Sequence, residues 1–391
     1  MDKAFKIIYG TTPATREQLD AIEEIVVEQE VDHAWEARIT IPVCIAEDGS
    51  WDGENDDAYK QNARVRVEAK IGEGEWVPLI DGRIVRQQPD YNASPGLSNI
   101  VLVVHDDISL LASEPPPGDL GNQSDQDLIT ALFSIDTIGE PPEIGEFPAN
   151  PDMEAVNNLH GTRIGMLREL AQRYQGFHAY VLPGDSPGQK SKGYFKKFPD
   201  PPATGLPVMY LTGKNQNISR FNIRLNTGRA ARFEGASLNM GDKIVAVGSA
   251  GYAGTSPAQG ESVTSSDPGI RTMRLEPGET DATDVQAAAD AAAAESGYTL
   301  SAEGEVLPQC YNAILRPYMM VAARVSNSRY STDYVIQRVT HTLGRSEYTQ
   351  SFSLVGNSVS PSASPSASVP AAAAAVAGAA AVSFNIQVDI F

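Results

Sequence analysis

The chain has 391 residues, of which 41% are hydrophobic and 20% charged, so it is long enough to bury the cores of two or three domains. Fifty acidic residues oppose 30 basic ones, which gives a formal charge of −20. This balance argues against a nucleic-acid-binding protein, because phosphate binding requires clustered lysine and arginine. It favours solubility and basic partners or cargo.

Cysteine content and hydropathy exclude further classes. The two cysteines, Cys44 and Cys310, cannot build a disulfide framework or a four-ligand zinc site, so they fit a reducing interior. Residues 1–13 lack a long apolar stretch, so we predict no signal peptide. The chain has no run of about 18 apolar residues, so we predict no membrane span.

Residues 1–112 are predicted to be mostly β-strands separated by Gly and Asp. The predicted strands are 24–31, 36–43, 63–71, 76–89 and 98–107. Within 63–71 apolar residues alternate with Arg64, Arg66, Glu68 and Lys70, so we expect this strand to have one solvated face. Later segments add strands and a few helices. The sequence therefore predicts an α+β protein that is predominantly β.

The acidic segment 48–57 resembles a calcium-binding loop. Asp48 and Asp52 hold its first and fifth positions, but Tyr59 stands where a bidentate glutamate is required. We predict a solvated hairpin loop and keep Asp48 and Asp52 only as candidate cation ligands. No other metal ligand and no cofactor is predicted.

Residues 113–206 are predicted to form a helical, α+β insertion. Ser124 and Asp127 resemble a capping pair for a helix over 124–134. A second amphipathic helix begins near 162 and stops at Gly176, before a strand over 177–183. Residues 184–206 are predicted to be a loop or a hairpin. The prolines at 115–117 and 141–142 are expected to prevent regular structure.

The sequence predicts no catalytic residue. The segment GDSPG (184–188) matches a nucleophile elbow, but Pro187 has no N–H for an oxyanion hole, so a surface turn is expected. His105 precedes two aspartates without a paired nucleophile and is expected to be a turn residue. The five histidines lack metal-binding spacings, and the glycines of 248–254 miss the dinucleotide pattern.

Residues 207–357 are predicted to return to strands. The apolar segments are 319–325, 333–343 and 348–355. Residues 210–226 combine an apolar strand, a polar turn and a second strand, and further strands follow over 228–260. An alanine-rich helix is predicted at 281–296, ended by Gly297. Residues 358–381 are rich in Pro, Ser and Ala and predict a linker.

The segment 382–391 alternates apolar and polar residues as an amphipathic strand does. Its apolar residues Phe384, Ile386, Val388 and Ile390 are the predicted partner-binding residues. A lone strand cannot satisfy its backbone, so we expect it to pair with an exposed sheet edge. The sequence leaves open whether that edge belongs to its own subunit or to another chain.

The final meander resembles the C-terminal signature of contractile-tail baseplate hub proteins, the phage late-control D proteins and the N-terminal part of VgrG. In residues 334–357 the matching positions are Val339, His341, Tyr348, Phe352, Leu354 and Asn357. Similar pieces occur in the same order upstream, in 81–112, at the helix that ends at Gly176, and in 210–226. The resemblance covers roughly residues 24–357.

The resemblance implies two tube-like antiparallel β-barrel domains with helical insertions. They would comprise 1–112 and 207–357, with 113–206 inserted between them. The implied function is that of a homotrimer that adapts a hexameric inner tube to a trimeric spike, with baseplate wedge proteins and cargo as further partners. No spike-forming region follows residue 357, so the spike would be a separate chain.

The resemblance also implies a place of action, the cytoplasm during assembly and then a phage tail or injection particle. The sequence does not distinguish a phage tail, a secretion system and an extracellular device. The alternative functions are a secreted hydrolase and a β-rich adhesin, and we predict a structural protein rather than an enzyme.

Overall fold

The structure is a computed structural model. It describes residues 3–43, 49–50, 57–94, 96–118, 124–146, 161–174, 176–198, 204–226, 232–238, 245–251, 261–262, 272–275, 285–286, 289–290, 292–293, 296–326, 328–345 and 347–359. The candidate cation ligands Asp48 and Asp52 lie outside these residues, as does the segment 382–391.

The described residues before the insertion form strands and short helices. They are β1 (Lys3–Tyr9), β2 (Thr12–Pro13), α1 (Arg16–Ala21), β3 (Glu24–Glu30), β4 (Glu36–Pro42), β5 (Arg64–Ile71), β6 (Val77–Asp90), β7 (Asn99–Asp106) and α2 (Ile108–Ser113). The strands predicted in this region are confirmed as β3 to β7.

The insertion contains α3 (Asp125–Phe133), β8 (Ile138–Ile144), α4 (Arg163–Arg173), β9 (Phe177–Leu182) and β10 (Ser191–Lys197). The remaining strands are β11 (Met209–Tyr210), β12 (Ile218–Leu225), β13 (Arg232–Leu238), β14 (Val245–Gly251), β15 (Glu261–Ser262), β16 (Thr272–Arg274), β17 (Leu300–Val306), β18 (Met320–Arg324), β19 (Asp333–Gly344), β20 (Tyr348–Gly356) and β21 (Ser358–Val359). The protein is thus α+β and predominantly β, as predicted.

One large sheet joins the two ends of the described chain. Its order is β12-β17-β20-β19-β3-β4-β7-β6-β5-β1-β2, with β18 beside β19 and β11 beside β18. The pair β3–β19 is antiparallel and runs from Glu24 opposite Gly344 to Glu30 opposite Arg338. Strands from 1–112 and 207–357 therefore share one sheet, and their division into two barrel domains stays a prediction.

Separate apolar clusters lie beneath the two parts of this sheet. The N-terminal cluster includes Trp35 and Ile39, and the C-terminal cluster includes Tyr334 and Leu354. Each of these side chains is fully buried. Burying one large apolar side chain stabilises the fold by about 1.5–3 kcal/mol. Each cluster therefore stabilises its own part of the sheet.

The insertion forms as the local sequence predicts. The Ser124 hydroxyl accepts from the Asp127 N–H at 3.2 Å and so caps α3. The helix α4 ends before Gly176, which adopts φ +76°. The strands stand in the order β8-β10-β9. Residues 191–197, within the segment predicted as a loop or a hairpin, form β10, and its hairpin partner β9 lies before that segment.

The expectation that Pro141 and Pro142 prevent regular structure is wrong, because both lie within β8. This strand pairs only with β10 among the described residues, and the pairing skips from Gly139 to Glu143. The prolines fall in this irregularity, where no ladder N–H is needed.

A small sheet of β14-β13-β16 covers the alanine-rich helix. Residues 285, 286, 289, 290, 292, 293 and 296 are helical, which confirms the predicted helix where it is described. Ala289 and Ala293 are buried against Phe233. A Cβ on Gly248 would lie 2.8 Å from the backbone of Val285, so glycine permits this close packing.

Candidate functional site

One face of the large sheet is polar across both parts of the chain. Residues directly opposite each other on neighbouring strands share a face. Following the pairing from β12 to β6 gives one continuous row: Arg220, Glu305, Ser351, Thr340, Glu28, Glu36, His105 and Arg83. The opposite face packs on the apolar clusters, so this polar face is the one available to solvent or a partner.

Acidic and basic side chains are mixed on this face. Near β12, a shallow groove of about 250 Å³ is lined by Arg220, Arg338, Glu303 and Glu305, among others. Farther along, Glu36 accepts from Arg38 Nε at 2.7 Å, and its second carboxyl oxygen lies 3.0 Å from His105 Nε2. Such a surface favours polar, charge-matched contacts over apolar docking.

His105 lies within β7 and not in a turn, so that expectation is wrong. Partial burial of Glu36 would raise its pKa, but hydrogen bonds from His105 and Arg38 outweigh this and keep the pKa below its usual value. The contact between Glu36 and His105 is thus a hydrogen bond between neighbouring strands on the polar face.

The strands of the large sheet repeat one arrangement. In the N-terminal part the order is β3-β4-β7-β6, and in the C-terminal part it is β12-β17-β20-β19. When the four strands of each set are numbered in chain order, their order in the sheet is first, second, fourth and third. All neighbouring strands in both sets are antiparallel.

The repeat extends to single residues. The third strand of each set has an irregularity at the same place, between Ile84 and Arg86 in β6 and between Ile336 and Arg338 in β19. The cross-strand rows that contain the two isoleucines are Val27, Ala37, Val104, Ile84 and Ile223, Ala302, Leu354, Ile336. Matching order, irregularity and residue size indicate two copies of one structural unit.

A buried histidine lies where the two copies meet. His341 of β19 is fully buried, with Nε2 3.2 Å from Gln29 Oε1 and Nδ1 2.9 Å from the Tyr348 hydroxyl. Gln29 donates its amide to the Leu79 carbonyl, so its oxygen is left to accept from His341 Nε2 and Tyr348 donates to Nδ1. Burial, with the Arg316 charge nearby, lowers the pKa of His341 to about 3.

A buried charge cluster joins the N-terminal strands to the insertion. Arg66 is 1% exposed and donates to Glu68 at 2.6 Å and to Asp81 at 3.0 Å. Arg64 donates to Asp81 at 2.7 Å and forms a two-point contact with Asp107 at 3.0 and 3.2 Å. The expectation of a solvated face for β5 is therefore wrong at Arg66 and Glu68, which are both buried, and the insertion covers Arg66.

The covering segment is the GDSPG turn. Arg66 donates to the Gly184 carbonyl at 2.7 Å and to the Asp185 carbonyl at 3.2 Å. Ser186 is exposed, and its N–H bonds to Gln189 Oε1 at 3.2 Å. The turn interpretation of this segment is thus confirmed, and its carbonyls hold the insertion on the sheet.

A serine of the insertion adds to the contact with the sheet. The Ser191 hydroxyl of β10 donates to Asp107 at 2.5 Å. Burial raises the pKa of neighbouring Asp106 well above its usual value, and the charge of Asp107 adds to this. Sequence reasoning missed this cluster, because the alternation of Arg64, Arg66 and Glu68 with apolar residues predicts a solvated face for this strand.

A cavity of about 740 Å³ lies between the insertion and the C-terminal strands. Its wall includes Arg168, Tyr174 and His178 from the insertion, and Thr299 and Gln337 from the C-terminal part. His178 stacks on Phe198 at 4.0 Å and lies 3.6 Å from Asp32. Residues of the N-terminal part, the insertion and the C-terminal part therefore line this cavity. Ser186, the candidate nucleophile of the GDSPG segment, is not among them.

Metal-binding clusters and membrane-spanning helices are absent from the described part of the chain. There, no three His, Cys, Asp or Glu side chains come together in a way that could hold a metal ion. No helix in the same part is long and apolar enough to span a bilayer.

No protein-family model and no curated protein sequence matches this chain. Solved structures do match. A tail protein from Neisseria meningitidis MC58 has a TM-score of 0.61 at 13% identity, over 91% of this chain and 97% of that protein. The 43 kDa tail protein of prophage MuSo2 from Shewanella oneidensis has a TM-score of 0.59 at 16% identity, over 90% and 98%.

A third match, prophage tail protein gp18 from Listeria monocytogenes EGD-e, has a TM-score of 0.50 at 10% identity and covers 90% of this chain and 94% of gp18. Each alignment spans nearly the whole of both proteins. The chain therefore has the fold of phage tail proteins.

Proposed function

We propose that the chain is the structural hub of a phage-tail or contractile-injection baseplate, in which a homotrimer adapts a hexameric inner tube to a trimeric spike. The observation that carries this proposal is the repeated unit, with its shared strand order and its irregularity after Ile84 and Ile336. The fold shared with tail proteins supports it.

The physical argument concerns symmetry. Three identical chains form a closed ring only through a head-to-tail interface repeated three times. If each chain contributes two similar units, the ring presents six similar surfaces to a hexameric tube and three chains to a trimeric spike. The two copies keep the same strand direction in the sheet, as a rotation about one ring axis requires.

The segment 382–391 is proposed to grip a spike, a neighbouring hub subunit or cargo. Residues 358 and 359, expected to begin the linker, instead form β21 opposite β15. Ser358 is fully buried and lies 3.0 Å from the Thr332 hydroxyl. Deletion should therefore begin at residue 360, and we expect loss of spike retention from particles that still assemble.

The oligomeric state tests the proposal. Light scattering coupled to size exclusion should show a trimer, and native mass spectrometry with the tube protein should show three hub chains on six tube chains. A monomer with hydrolytic activity would favour the hydrolase. A trimer that does not bind the tube protein would favour an adhesin.

A further inference from the structure

The internal repeat shows that one strand edge has no partner strand among the described residues. In the N-terminal copy, β19 covers the outer edge of the first strand, β3, over Glu24 to Glu30. The equivalent first strand of the C-terminal copy is β12. Among the described residues, β12 pairs only with β17.

The packing of β12 shows the same gap. Ile223 is only half-buried, although the other residues of its cross-strand row, Ala302, Leu354 and Ile336, are buried. Its equivalent Val27 is fully buried, because β19 lies beside it in the sheet. Phe221 and Leu225 are also half-buried on this face. An added strand would cover all three side chains.

The sequence of β12 protects its edge only in part. Proteins blunt exposed edges with prolines, irregularities, charged side chains or very short strands. This strand is eight residues long and contains no proline or glycine, its pairing irregularity lies at its start, between Ile218 and Arg220, and from Phe221 onward apolar residues alternate with polar ones. Its composition therefore fits a strand that is covered in the assembled state.

Charge indicates the partner. Where β3 has Glu24 and Glu28, β12 has Arg220 and Arg224, and Arg224 is only loosely paired with Glu303 at 3.7 Å. The edge of β12 is therefore basic, in a chain with a formal charge of −20. A second copy of this chain is attracted to such an edge.

We propose that β12 (Ile218–Leu225) accepts a strand from a second copy of this chain, so that the large sheet continues from one subunit to the next. The contact places carboxylates of the neighbour near Arg220 and Arg224, and apolar residues over Phe221 and Ile223. This inference rests on the proposed ring, because it identifies the surface through which the ring closes.

Photo-crosslinking tests the edge. The photoreactive residue p-benzoylphenylalanine is placed at Arg224, and in a control variant at Ser301, which lies directly opposite on β17. Two differently tagged copies are coexpressed and irradiated. We expect a covalent dimer that carries both tags from the Arg224 variant, and its loss from the Ser301 variant.

Mass spectrometry and light scattering on the same sample separate the outcomes. A trimer without crosslinks at position 224, or with crosslinks only to residues 382–391 of the same molecule, overturns the edge proposal and leaves the hub intact. Intermolecular crosslinks in an oligomer other than a trimer support the edge and overturn the hub. A monomer without crosslinks overturns both.

Discussion

At the scale of single residues, Arg66 determines whether the insertion stays on the sheet. It is the one side chain in the described cluster that donates both to sheet carboxylates and to the Gly184 and Asp185 carbonyls. Replacing a buried ion pair by apolar residues can be neutral, whereas removing one partner leaves charges uncompensated. The stability of the fold is therefore expected to depend more on Arg66 staying paired with these carboxylates than on the cluster being polar.

We predict that Arg66→Met lowers the free energy of unfolding by about 3–5 kcal/mol, because Glu68 and Asp81 are left buried without their common donor. The matched control is Arg38→Met, which removes an arginine whose side chain is 56% exposed, and should cost at most about 1 kcal/mol. Urea unfolding followed by circular dichroism measures both. Equal losses of unfolding free energy in the two variants would contradict the role assigned to Arg66.

His341 should make stability depend on pH. Its pKa is about 3 in the folded protein and 6.5 ordinarily, so in this window the unfolded chain binds a proton that the folded chain does not. Stability is therefore lost as pH falls from 6.5 toward 3, by up to about 1.4 kcal/mol per pH unit from this group.

His341→Gln should flatten this dependence, because the amide does not titrate. The matched control is His33→Gln, which removes an exposed histidine bonded to the Val31 carbonyl. Unfolding free energies between pH 4 and pH 7 give the slopes. A slope unchanged in His341→Gln would show that other groups determine the dependence.

At the scale of elements, much of the secondary structure follows from the sequence because local rules decide it. Period-two alternation located β20, β-type composition located β3, and the Ser124 cap located α3. Pairing between distant strands, such as β3 with β19, depends on the whole chain and has no local signal. For the same reason the burial of Arg66 could not be predicted, since its cover comes from residues 184–185.

Gly304 tests the pairing of β12 with the sheet. A Cβ at this position would lie 2.1 Å from the Arg220 carbonyl oxygen and 2.6 Å from the Phe352 ring, so β12 must shift. We predict that Gly304→Ala speeds hydrogen exchange of the β12 amides and lowers stability. The control, Gly344→Ala, meets nothing nearer than 3.8 Å and should change neither.

At the scale of the whole molecule, assembly must bring together chains that each carry a formal charge of −20. Their mutual repulsion opposes association unless opposite charges meet at the interface. The basic edge of β12 supplies such charges, whereas the rest of the polar face mixes both signs. The surface that joins subunits should therefore be sensitive to salt, and the core of each subunit should not.

The double variant Arg220→Glu/Arg224→Glu tests this directly. Its control, Arg16→Glu/Arg329→Glu, makes the same change in net charge at exposed arginines far from β12 in the sequence. We predict that the β12 variant weakens trimer formation by about tenfold or more at low salt, because like charges then meet at the edge. Analytical ultracentrifugation should show the difference shrinking at high salt, where screening is strong. If both variants weaken the trimer equally, net charge alone controls assembly and the β12 edge plays no special part.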